Sequence, residues 1–120
     1  MELTKIKKDP AFERAISFLP DEAELEEAIK NAPDGPLQGM PFLAKDLFDV
    51  AGWPTTASST FLSEVRQPVT ETAALVERLQ AAGAVCVGKT HLNEFAYGLS
   101  GENAHFGDCP HPDDPRCLSG

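Results

Sequence analysis

The sequence predicts an α/β fold: N-terminal helices followed by a right-handed βαβ unit, part of a larger mixed sheet covered by helices. Three observations carry this. Met40 to Lys45 is a short apolar run of strand length that ends in a lysine. Ala84-Val85-Cys86-Val87-Gly88 is a second continuous apolar run, the pattern of a buried parallel strand. Between them lies a long crossover holding an amphipathic helix. Leu75, Val76, Leu79 and Ala82 fall on one face, and Glu71, Glu77, Arg78 and Gln80 face away.

The other elements follow in order. Asp9 is a helix cap with Pro10 at the first helical position, where the missing N–H does no harm. Phe12, Ala15, Ile16 and Leu19 stand at helical spacing until Pro20 stops the run. Asp21 opens a second helix, with Glu24 completing a capping box and Leu25, Ala28 and Ile29 as its apolar stripe. Residues 31–36, Asn-Ala-Pro-Asp-Gly-Pro, are a breaker cluster and read as a loop. Residues 1–35 are thus expected to form a helical arm, and 36–120 the domain proper. Gly52 to Thr60 reads as a polar loop of small residues. Thr70 is the expected cap of the crossover helix and Gly83 its C-terminal stop. Thr90 is the expected cap of one more helix, with Leu92, Phe95, Ala96 and Leu99 on its apolar face. From Ser100 to Gly120 no periodicity survives.

Composition excludes several classes. The 120 residues are 42% hydrophobic and 24% charged, the mix of one small globular domain or a piece of a larger one. A net charge of -9 argues against nucleic-acid and anionic membrane surfaces, both of which require clustered Lys and Arg. Met1 to Lys8 alternates charged and apolar residues without the apolar core of a leader, and no run approaches a membrane span. The three cysteines contain no C-x-x-C and do not form a disulfide framework, so a reduced, cytoplasmic compartment is expected.

Lys45 is the first candidate for chemistry. A lysine closing an apolar run must reach solvent, pair with a carboxylate such as Asp46 or Asp49, or lose its proton. In the last case burial lowers its pKa and it becomes a general base. Both strands end in lysine, Lys45 and Lys89, and ligands of open parallel sheets sit beyond the carboxyl ends of strands. Gly83 to Thr90 also matches the spacing of a phosphate loop. Its interior is the second strand, however, where a phosphate loop needs a turn after a strand. His105, Cys109, His111 and Cys117 are metal-ligand types, but no pair stands at zinc spacing and no metal site is expected.

Taken together, several segments resemble the opening part of the amidase signature family: Pro41 to Asp46, Thr55 to Ser58, Thr72 to Thr90, His91 to Gly98, Glu102-Asn103 and Phe106-Gly107. The family includes the amidase subunit of tRNA-dependent amidotransferases, and the match runs from about residue 36 to the end. The resemblance implies a Ser–cis-Ser–Lys mechanism with no cofactor, in which Lys45 is the base. It implies further that Ala96, Tyr97, Gly98, Leu99 and Ser100 hold the acyl part of a small amide substrate. The family's glycine- and serine-rich motif would begin at Ser119-Gly120, so both catalytic serines are expected beyond this chain. The chain alone is then expected to be inactive, and to self-associate or to contact the remainder of the fold. A non-catalytic binding or scaffolding role is the alternative. His111-Pro112 and Cys117-Leu118 depart from the family's pattern.

Overall fold

The computed structural model describes residues 10–120; the cap at Asp9 and the Met1 to Lys8 stretch lie outside the described residues. Helix α1 (Pro10–Ala15) leads directly into strand β1 (Ile16–Phe18), and α2 (Glu22–Asn31) follows. Strand β2 (Pro41–Lys45), helix α3 (Thr60–Val65), helix α4 (Ala74–Ala81) and strand β3 (Val85–Thr90) complete the regular structure. A single 3-10 turn, Glu94–Ala96, comes after β3. The three strands form one sheet in the order β1-β3-β2. β2 runs parallel to β3, and β1 is antiparallel to it. The α/β class and the mixed sheet therefore stand as the sequence predicts.

Local chemistry explains the element ends. The Asp21 side chain accepts the Glu24 N–H at 2.7 Å, the first half of the expected capping box. The second half is missing, because the Glu24 carboxylate accepts the indole N–H of Trp53 at 2.5 Å. A buried indole donor needs a partner, whereas a backbone N–H at a helix end has water available. At the C-terminal end of the crossover helix α4, Gly83 N–H bonds to Gln80 C=O and Ala84 N–H to Leu79 C=O. With Gly83 at φ +96°, this is a Schellman stop.

Four local expectations are corrected. The helical run from Phe12 to Leu19 breaks after Ala15, because the next three residues pair with the open edge of β3 and Ala15 C=O accepts the His91 N–H. Thr70 does not cap the crossover helix. Ala73 does, since Thr72 Oγ1 accepts the Ala51 N–H and Ala73 N–H donates to Asp49 C=O, tying that stretch to the 49–51 turn. The polar loop ends in a short helix, capped by Ser59, whose Oγ accepts the Phe61 N–H at 3.2 Å. Thr90 belongs to β3, and the helix expected after it is one 3-10 turn. Phe95 and Ala96 there have φ of 52° and 58°, and Phe95 N–H donates across to Ala57 C=O.

A bulge in β3 sets up the site. Phe42 pairs with Cys86 but Leu43 pairs with Gly88, so Val87 is an extra residue. Cys86 joins Ala44, Val50, Trp53 and Val76 in one buried cluster, while Val85 and Val87 pack with Leu25 in another. In a regular strand Cys86 and Lys89, three residues apart, would face opposite sides. The extra residue turns Lys89 onto the side of Cys86 and Ala44, opposite Ala44 in register. Gly88 completes the bulge, because a Cβ there would stand 2.6 Å from the Phe18 carbonyl oxygen. Gly88→Ala is therefore expected to destabilise the chain by about 1–3 kcal/mol, measured as a lowered urea midpoint at unchanged slope.

Candidate active site

β2 and β3 end side by side, with Lys45 in register with Thr90. Beyond these ends lies a cleft of about 280 Å³ lined by Lys45, Thr90, His91, Ala96, Gly98 and Leu99 among others. Lys45 is exposed at the end of an edge strand, and its side chain makes no hydrogen bond or ion pair among the described residues. Neither of the carboxylates near it in sequence is its partner. Asp49 pairs with Arg66 at 3.0 Å, and Asp46 is bound to the second lysine.

That second lysine is fully buried. Lys89 Nζ meets Asp46 Oδ1 at 2.7 Å, with side-chain exposures of 0% and 2%. It also donates to Pro54 C=O and to Thr55 Oγ1, each at 2.8 Å. An ammonium has three N–H donors, and each finds an acceptor here. On its other side the Asp46 carboxylate accepts the Thr56 N–H and hydroxyl, and Asp46 C=O accepts the Ala57 N–H. Lys89 is thus committed to fastening the 54–57 loop, which removes the last ground for a phosphate-loop reading of Gly83 to Thr90.

The loop continues into a second polar knot. Ala57 and Ser58 both have φ of 51°, a left-handed conformation that costs a non-glycine residue about 1–3 kcal/mol. Its surroundings hold it there. Ser58 Oγ lies 2.7 Å from His91 Nδ1 and accepts the Leu92 N–H at 3.1 Å. Asn103 Nδ2 donates to both Ser58 C=O and Leu92 C=O. The His91 ring stacks on Phe106 at 4.6 Å. Burial lowers the His91 pKa below the ordinary histidine value, with the Asp46 charge opposing.

The 96–100 segment divides. Ala96, Gly98 and Leu99 line the cleft, but the Tyr97 ring is 94% exposed. Ser100 Oγ donates to the Glu102 carboxylate and accepts from Asn93 Nδ2, outside the cleft lining. The metal-ligand types are dispersed: His105 pairs with Glu94 at 2.9 Å, and His111 Nδ1 accepts backbone N–H groups of Asp113 and Asp114. Buried Cys86 has its thiol pKa raised by desolvation, as befits a core residue.

Sequence reasoning singled out neither Asp46 and Lys89 as a pair nor Ser58, His91 and Asn103 as a knot. One signal was available. The argument that a lysine in an apolar run needs a partner applies to Lys89 more strongly than to Lys45, and Asp46 is the acid at the neighbouring strand end.

The family model described as Amidase matches residues 6–120. The chain belongs to the amidase family. Over 86 residues this amidase-family chain is 48% identical to the A subunit of glutamyl-tRNA(Gln) amidotransferase from Paraburkholderia phytofirmans, covering 72% of the chain and 17% of that protein. The crystal structure of the corresponding Thermotoga maritima protein superposes with a TM-score of 0.79 at 30% identity, covering 98% of this chain and 24% of that one. A vestigial protein complex connected with the origins of an s-triazine catabolic enzyme gives a TM-score of 0.83 at 34% identity, covering 98% and 27%. The chain spans about a sixth of the length of the curated relatives it matches, 17% for the first.

The ion pair gives a testable consequence. Lys89→Met leaves Asp46 buried without its partner and is expected to cost about 3–5 kcal/mol. The double variant Lys89→Met/Asp46→Leu is expected to recover part of that loss, read from urea melts of both proteins.

Proposed function

We propose that this chain forms the lysine-bearing wall of an amide-hydrolase site, with Lys45 as the general base. The observation that carries the reading is the division of labour between the two strand-end lysines. Lys89 is buried and bound on all three N–H donors, while the Lys45 side chain opens onto the cleft that Ala96, Gly98 and Leu99 line, unpaired among the described residues. A base must have a free lone pair at the reacting atoms, and among the described residues at the strand ends Lys45 alone has that freedom.

The chemistry takes the family's course. A nucleophilic serine passes its proton through a bridging serine to Lys45 Nζ and attacks the amide carbonyl. The amine leaves with a proton, and water cleaves the acyl-enzyme to a carboxylate. Neither serine has a counterpart in residues 1–120, so both come from the remainder of an amidase fold. That remainder would also cover the exposed Lys45, removing water and favouring its neutral form. Ala96 to Ser100 holds the acyl part, with Tyr97 and Ser100 reaching it once the covering segments are in place. No cofactor enters this scheme. The substrate is a small amide, a reading that an amidase among its structural neighbours supports, and the three cysteines, none of them bonded, suit a cytoplasmic setting.

In a protein containing the serine-bearing segments, Lys45→Ala is expected to lower kcat for ammonia release by about 10²- to 10⁴-fold, the usual contribution of a positioned base. Equal activity in Lys45→Ala and wild type would overturn the assignment.

Among the described residues the outer edge of β2 has no strand partner, which favours contact with further chain. Leu43 and Leu47, on and just after β2, are each 42% exposed, and Phe61, Val65 and Leu75 are exposed in the crossover. An uncovered strand edge with apolar neighbours is a template for association. Residues 1–120 alone are expected to sediment as dimers or larger species at high concentration; a clean monomer with a cooperative melt would contradict this.

A further inference from the structure

The Ser58–His91 contact does something that neither the fold nor the lysine chemistry requires. Ser58 is 0% exposed, and its oxygen already accepts the Leu92 N–H. The buried hydroxyl hydrogen needs an acceptor, and among the described residues the atom at bonding distance able to take it is His91 Nδ1, 2.7 Å away. The proton of the neutral imidazole must then sit on Nε2. A protonated ring would place an N–H on Nδ1 facing Ser58 and leave the hydroxyl hydrogen without a partner. Burial acts in the same direction, lowering the ring's pKa against the opposing Asp46 charge. Asn103 clamps both Ser58 C=O and Leu92 C=O, and Phe106 covers one ring face, so the imidazole is fixed in direction as well as tautomer. Nε2 makes no hydrogen bond among the described residues, and His91 lines the cleft that Lys45, Ala96, Gly98 and Leu99 share.

We propose that His91 is a substrate-orienting residue of this cleft, a neutral imidazole whose Nε2–H donates to the carbonyl oxygen of a carboxamide, with Ser58 as the residue that positions it. The inference rests on reading the cleft as an amide site. The chemistry suits that ligand. A carboxamide oxygen is a strong neutral acceptor, and a neutral donor orients the amide without placing a cation beside a lysine that must itself be neutral to act as a base. The strained backbone at Ala57 and Ser58 has a use on this reading, since it brings Ser58 Oγ under the ring.

The experiment uses the full chain with ¹⁵N-labelled histidine. Long-range ¹H–¹⁵N spectra at pH 7.5 are expected to show His91 as the Nε2–H tautomer; an Nδ1–H tautomer overturns the proposal with no variant needed. Ser58→Ala is expected to shift the ring toward a mixture of tautomers, an effect that lost packing alone would not produce. Benzamide is then titrated into the chain. The proposal expects saturable shifts at His91 Nε2 together with the Ala96 and Gly98 amides, and about threefold to tenfold weaker binding in His91→Phe, the range for one lost neutral hydrogen bond. Shifts at Ala96 and Gly98 with His91 Nε2 unmoved overturn the role of His91 and leave the amide site standing. Absence of benzamide shifts throughout the cleft overturns the reading of the cleft itself, and the inference with it.

Discussion

The ion pair between Lys89 and Asp46 is the constraint on which the rest of the site depends. Two opposite charges at 0% and 2% exposure, 2.7 Å apart, are tolerable in a protein interior only when each has further partners. Each does. Lys89 reaches Pro54 and Thr55, and Asp46 reaches Thr56 and Ala57. Four consecutive residues of a small-residue loop are thereby fastened to the ends of two strands. Such a loop would otherwise have little apolar side chain with which to hold a shape.

The pair exists because of a single extra residue. Without the bulge at Val87, Lys89 would leave the sheet on the side of Val85 and Val87, away from Asp46. The bulge in turn depends on Gly88, where the Phe18 carbonyl comes too close for a side chain. Backbone geometry in β3 thus decides the electrostatics of β2. With Asp46 held on one side of the strand end, Lys45 emerges on the other, beside Thr90 and above the cleft. One lysine fastens the site and the other is left available to it.

Beyond the ion pair, the loop's far end repeats the device with neutral groups. Ser58, His91 and Asn103 tie residues that lie 33 to 45 positions apart in sequence. Two left-handed residues persist because their backbone groups are fixed at both ends: Ala57 N–H to Asp46, Ala57 C=O to Phe95 N–H, and Ser58 C=O to Asn103. The same contacts explain the absence of a helix after β3. Phe95 bonds across to the loop, and the Asn93 side chain bonds forward to Ser100, Gly101 and Glu102, so a continuous helical ladder does not form.

The sequence by itself determined what depends on local pattern: the two parallel strands, the amphipathic crossover helix with its glycine stop, the Asp21 cap, and the family through the joint match of several short motifs. These are legible because period, caps and turns act over a few residues. Only the tertiary structure decided the rest. Ile16 to Phe18 keeps a helical spacing, yet it forms a strand because β3 offers an unpaired edge. Leu92 to Leu99 keeps it too, yet Leu92 is buried while Tyr97 and Leu99 stand exposed, because Phe95 N–H bonds across to Ala57 C=O and the Asn93 side chain bonds forward to Ser100, Gly101 and Glu102. The apolar run before Lys89 pointed to burial of that lysine, but what makes its burial tolerable stood in neither neighbourhood. It follows from a one-residue offset between strands and from a carboxylate 43 positions away, and burial of a charge is decided by what surrounds it in space.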